Sequence, residues 1–162
     1  MNSENGFTLL EVLIAVVILT VALLGLSSMN VYTIKYNDNA KRYTAAVALA
    51  QDKLEELKNK TFVDSALNDS NTSNNTSYST ITSTTNVDSQ VAGLDEKGNA
   101  GGIYTRIVNI ADYAAGTANT YPNTKLIVVI VTWTDQTGSN SVTLATMKGC
   151  KDFDATGTTC TG

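Results

Sequence analysis

The chain contains no histidine. That absence excludes a Ser-His-Asp triad, a histidine zinc site, a haem attachment motif ending in His and a histidine-based pH switch. Two cysteines, Cys150 and Cys160, are too few for a structural zinc site without histidine. Charge is scarce as well: Asp, Glu, Lys and Arg make up 16% of the residues, and the formal net charge is −4 at pH 7. Such a chain has no global field to draw in nucleic acid or an anionic lipid surface. The acid pairs Glu55-Glu56 and Asp95-Glu96 are sequence neighbours, which suits exposed faces better than acid–base catalysis. No enzymatic activity, cofactor or metal is expected, and 162 residues fit one domain of ordinary size.

What the chain has in place of charge is a concentrated apolar run. Val12 to Leu26 is fifteen residues without a charge, and Phe7 to Met29 makes a 23-residue window interrupted only by Glu11. As a helix this window is about 35 Å long, against a hydrocarbon core of about 30 Å. A buried soluble helix is the alternative, but a domain of this size rarely covers an apolar helix on every face. The preceding segment Met1–Gly6 carries no Lys or Arg, so charge does not set the orientation, and no Cys follows the run to serve as a lipid anchor. An ionised Glu11 within a bilayer costs about 2.5–3.5 kcal/mol. Two readings offset that cost. Thr8-Leu9-Leu10-Glu11 has capping-box spacing, and Glu11 can instead meet a positive charge in the membrane, most simply an α-amino group of another chain.

The run Gly6-Phe7-Thr8-Leu9-Leu10-Glu11-Val12-Leu13-Ile14-Ala15, heading an apolar helix, resembles the class III signal of type IV pilins and pseudopilins. The resemblance implies that a prepilin peptidase cuts between Gly6 and Phe7 and methylates Phe7, with Glu11 acting in subunit assembly. It also implies an α+β pilin fold, in which a long N-terminal helix with a membrane-spanning first half packs on a small antiparallel sheet. Ala46 to Leu57, with Ala50-Gln-x-Lys-x-Glu55, and Val129 to Thr146, with Thr132-Trp-Thr-Asp135, are similar to minor pilins of the PilV class and the related GspI minor pseudopilins.

The expected organisation is a leader over 1–6, an assembly helix over 7–29, the periplasmic half of the helix over 30–60, a Ser/Thr/Asn-rich loop over 61–102, a sheet over 103–149 and a C-terminal disulfide loop over 150–162. Implied partners are other pilin or pseudopilin subunits, the prepilin peptidase, an inner-membrane assembly platform, and lipid before assembly; nucleic acid is not among them. The expected location is the inner membrane, single-pass with a periplasmic domain, then a surface pilus or periplasmic pseudopilus. The function implied is a minor pilin that primes or caps a type IV pilus, with a type II secretion pseudopilin, or an adhesive or DNA-uptake tip subunit, as alternatives. The assembly motor belongs to other proteins, since the chain has no Gly-x-x-x-x-Gly-Lys-Ser/Thr loop.

Beyond the membrane window, Met29, Tyr32, Tyr36, Ala40, Tyr43, Val47, Ala50, Leu54 and Leu57 recur at steps of three and four. This predicts one helix to about Lys58 with that stripe as its core face. Gly25, Ser27 and Ser28 are weak helix formers, so a bend or melted turn is expected there. The segment from Asp64 to Gly102 lacks the apolar content to bury itself, and its β-prone stretch Tyr78 to Thr85 is the candidate for an edge strand. Asn68, Asn71, Asn74 and Asn75 each begin an Asn-x-Ser/Thr triplet, which chance explains in so biased a stretch.

Strands are predicted at Ile103 to Ile110, Lys125 to Thr134 and Ser141 to Lys148, the last two joined as a hairpin through Asp135–Asn140. Leu126 to Trp133, LIVVIVTW, is apolar on both faces and so predicts a central strand, one face on the helix and the other under a loop or a neighbouring subunit. Trp133 is expected as a core anchor. Cys150 and Cys160 form an even pair that, in an exported chain, reads as a disulfide worth about 2.5–3 kcal/mol. Two free thiols are the alternative.

Overall fold

A computed structural model describes residues 7–74, 78–113, 123–135, 138–155 and 160–161. The leader Met1–Gly6, and with it the Gly6 side of the expected cut, lies outside the described residues, as do Asn75 and the hairpin residues Gln136 and Thr137. The elements are helix α1 (Leu9–Asn59), a 3₁₀ turn at Ser65–Leu67, another at Thr72–Asn74, the short helix α2 (Tyr78–Ile81), and strands β1 (Ser89–Leu94), β2 (Tyr104–Tyr113), β3 (Thr124–Asp135) and β4 (Gly138–Gly149). The strands form one antiparallel sheet in the order β1-β2-β3-β4. A long N-terminal helix packed on a four-stranded antiparallel sheet is the α+β, pilin-like fold expected from the sequence. Two compact units divide the chain, Met1–Lys41 and Arg42–Gly162, and α1 contributes to both.

In the first unit α1 is long and apolar enough to cross a membrane, and none of its apolar window is buried within the chain. By length and composition this segment fits the membrane-spanning expectation. The expected melted turn does not form, because α1 runs unbroken through Gly25, Ser27 and Ser28. The Ser27 and Ser28 hydroxyls donate to the carbonyls of Leu23 and Leu24 at 2.9 and 3.1 Å, and Thr20 and Thr33 donate likewise to Val17 and Met29. Such back-bonding leaves the polar side chains satisfied by their own helix.

In the second unit the core face of α1 is Ala46, Leu49, Ala50 and Leu57, flanked by the partly buried Val47 and Leu54. The expected stripe is thus corrected. Tyr32 and Tyr36 are 64% and 72% exposed, Met29 is exposed too, and burial starts only after Tyr43. The alanines explain the shift: without bulky side chains, Ala46 and Ala50 let the helix backbone approach the sheet and both become fully buried.

The central strand β3 matches its expectation. Ile127, Val129, Val131 and Trp133 join the α1 residues in one cluster, while Val128 and Ile130 on the opposite face join Ile107, Ala111 and Ile81 in a second. Burying each such aliphatic side chain stabilises the fold by about 1.5–3 kcal/mol. The second face is therefore covered by the chain's own 78–88 segment. Trp133 packs between Tyr43 and Tyr104, with ring centroids 6.3 and 6.0 Å away, and is a core anchor.

The loop prediction over 61–102 is corrected in two respects. Tyr78–Ile81 is a helical turn, not a strand, because its Ile81 plugs the second cluster; the edge strand is instead Ser89–Leu94. Long-range polar contacts also hold the segment down. Buried Lys125 donates to the Leu67 carbonyl at 2.7 Å, pairs with Asp112 at 3.1 Å and stacks over the Phe62 ring. Lys148 donates to the carbonyls of Lys58 and Lys60 and so caps the end of α1, where a cation suits the helix dipole.

Candidate functional site

Phe7 and Thr8 precede the first helical residue, Leu9, which makes Thr8 the N-cap and Glu11 the third residue of the helix. The Thr8 hydroxyl accepts from the Glu11 amide at 3.3 Å, and the Thr8 carbonyl accepts from the amides of Glu11 and Val12. One half of the capping box is therefore made. Its reciprocal half is not: among the described residues, the Glu11 carboxylate has no hydrogen-bond or ion-pair partner. Phe7 is 81% exposed, and Leu9, Leu10, Val12 and Leu13 around it are exposed as well.

At the other end, Cys150 and Cys160 are joined as a disulfide with Cα atoms 5.9 Å apart, which removes the free-thiol alternative. The Cys150 amide donates to the Asn123 carbonyl at 2.9 Å, fixing the loop to the start of β3. Phe153 bridges Cys160, and Thr161 donates to the Asp152 carbonyl. Residues 156–159 of this loop lie outside the described residues.

One acid of each sequence pair, Glu56 and Asp95, has local partners. A hydrogen bond from Lys53, 2.8 Å from its Oε1, holds the Glu56 carboxyl below its ordinary value. Asp95 is also held low, first by the Asn99 amide and with help from that of Lys97, both donating to Oδ1. Of the Asn-x-Ser/Thr positions, Asn71 uses its side-chain oxygen to accept from the Ser73 amide.

Residues 1–27 match the model of the prokaryotic N-terminal methylation motif. The match spans the candidate cut, Phe7, Thr8 and Glu11; it supports a pilin or pseudopilin subunit of the type IV kind, and with the apolar half of α1 it fits membrane anchoring. No curated protein and no solved structure matches the chain.

Sequence reasoning missed two polar residues that shape the second unit, Asn109 and Asp88. Asn109 is fully buried in β2, and Asp88 accepts amide hydrogens from Ser70, Asn71 and Ile110, each at 2.7 Å. An Asn amid the apolar alternation of Ile107-Val108-Asn109-Ile110 was the available signal, since a buried amide demands partners.

Proposed function

We propose that this chain is a minor pilin of the PilV type that primes or caps assembly of a type IV pilus. The match of residues 1–27 to the methylation motif supports the pilin part of this reading, and the resemblance of Ala46–Leu57 and Val129–Thr146 supports the minor-pilin part. The prepilin peptidase cuts between Gly6 and Phe7 and methylates the Phe7 amine. Before assembly the apolar half of α1 holds the subunit in the inner membrane with its remaining domain in the periplasm. On assembly that half packs among the helices of neighbouring subunits, so leaving lipid does not expose it to water. The amine of an adjacent subunit's first residue then faces Glu11. Pairing the two neutralises a buried charge and fixes the axial step between subunits.

Mass spectrometry of sheared surface filaments and of membranes tests this reading. The expected finding is a peptide that begins at N-methylated Phe7, present in filaments at a low ratio to a major subunit. The same peptide found only in membranes would assign the chain to a type II secretion pseudopilus. An intact Met1–Gly6 leader in every fraction would overturn both.

A further inference from the structure

Of the tyrosines on α1, Tyr43 packs on Trp133, whereas Tyr32 and Tyr36 enter no hydrogen bond or ring contact among the described residues. Both rings stand out from the helix, and Met29, Val31 and Ile34 beside them are exposed as well. A run of large apolar side chains left open in this way marks a surface that something covers.

Position along the helix points to the cover. After Glu11 the next charged side chain is Lys35, so Val12–Ile34 is 23 residues without a charge. A hydrocarbon core of about 30 Å takes about 20 helical residues at 1.5 Å each. Counted from Val12 they end at Val31, and Tyr32 is the next residue. The headgroup layer adds about 5–7 Å on each side of the core, and the four-residue step from Tyr32 to Tyr36 rises about 6 Å. The two rings therefore match the depth of that layer, while Tyr43, about 10 Å beyond Tyr36, falls outside it.

The side-chain chemistry suits the same layer. Tyrosine joins an apolar body to a polar tip, which favours the boundary between hydrocarbon and water. Lys35, one turn from Tyr32 and adjacent to Tyr36, is exposed; its stem can lie along the apolar surface while its ammonium reaches a lipid phosphate. A seam with another helix would instead favour small residues, and Met29–Tyr36 contains no Gly, Ala or Ser. From this placement we infer that Tyr32, Lys35 and Tyr36 dock in the phospholipid headgroup layer where α1 leaves the bilayer, and hold the subunit at one height before assembly. A uniform apolar run adjusts to its bilayer at modest cost, so a fixed depth needs such a girdle. The inference rests on α1 lying in a membrane, as proposed above, and not on the cut at Phe7.

The test places the full chain in nanodiscs of palmitoyl-oleoyl phosphatidylcholine. The backbone amides of α1 are followed by NMR against a water-soluble gadolinium chelate and a lipid spin-labelled at the end of its acyl chain. The crossover between the reach of the two agents is expected between Tyr32 and Tyr36, with cross-relaxation from the choline methyl protons to both rings. Tyr32→Ala combined with Tyr36→Ala keeps a strong helix former at both positions and should move the crossover toward Met29 by at least two residues, about 3 Å. A crossover at or before Met29, or one unmoved in the double variant, overturns the inference and leaves the span in place. So do rings open to the chelate, as they would be if only neighbouring helices in a filament covered them. A helix with no amide shielded from the chelate overturns the membrane reading as well. Processing at Phe7 is read separately, in cells, so the two readings can fail independently.

Discussion

The side-chain amide of Asn109 donates to the main-chain carbonyl of Ile81 at 2.6 Å, tying β2 to a turn 28 residues earlier in the chain. The same nitrogen reaches the Ser83 carbonyl at 3.0 Å, and the side-chain oxygen accepts from the Asp88 amide at 3.4 Å. One buried side chain thus satisfies three main-chain groups of a segment whose own composition does not make it fold.

Asn109→Leu keeps the size of the residue but leaves those three groups without their partner. A loss of about 3 kcal/mol in unfolding free energy is expected, given roughly 1–3 kcal/mol for each buried group left unsatisfied. Urea unfolding measures it. Limited proteolysis should show new cleavage between Ser83 and Asp88, and a variant as stable and as resistant as the parent would refute the latch.

Glycine at position 102 has a different cause from the usual freedom of turns. A Cβ built there runs into the Leu94 carbonyl and the Asp95 backbone, and backbone cannot step aside as a flexible side chain can. Gly102→Ala should therefore cost about 1–3 kcal/mol, in the range of overpacked cores. The neighbouring Gly101 has open space at the corresponding position but a φ of 112°, so its replacement by alanine strains the backbone instead. Thermal midpoints of both variants check these costs, and an unshifted midpoint for Gly102→Ala would contradict the close approach.

Acid should weaken the fold through Glu56 and Asp95. Both carboxyls lie below their ordinary values when folded, Glu56 through Lys53 and Asp95 through the Asn99 amide. A lowered folded pKa gives stability that is complete above the unfolded value of about 4 and is lost as pH falls through the folded one. Both side chains face solvent, so the effect is small. The midpoint should stay level from pH 7 to about 5 and decline below about 4. Glu56→Gln combined with Asp95→Asn should flatten the decline, and an equal acid-side drop in the double variant would exclude these two groups as its source.

Glu11→Val removes the one charged side chain between Phe7 and Ile34. Membrane insertion should be retained, because the substitution lowers the cost of burial by about 2.5 kcal/mol or more. Incorporation into filaments should fall. Quantitative mass spectrometry of membranes and sheared filaments measures both, and parent-level incorporation would sink the pairing with a neighbour's amine.

How much of this was legible beforehand depended on whether the signal was local. β3 could be read because LIVVIVTW is short, rich in β-branched residues and apolar on both faces, as a strand covered twice is. The start of α1 was visible in the Thr8 to Glu11 spacing. Asn109 stands out as an amide in an apolar run, but its partner 28 residues away does not, and nothing local marks Lys125, whose partner lies 58 residues away. The edge strand was misplaced for a related reason. Thr-rich β propensity at Tyr78–Thr85 was outweighed by the burial of a single residue, Ile81, against Val128 and Ile130. The tyrosine stripe misled because periodicity identifies one face of a helix without saying how far along it a sheet extends.

The hydroxyls of Thr20, Ser27, Ser28 and Thr33 have one more consequence. Each carries its hydrogen-bond partner along on the same helix, so none depends on what surrounds it. Lipid tails and the apolar flanks of other helices are then interchangeable solvents for this surface. On the proposed transfer from lipid to a filament, the segment breaks none of these four hydrogen bonds. On the proposed pairing, Glu11 is the one charged side chain between Phe7 and Ile34, and its partner changes with that transfer.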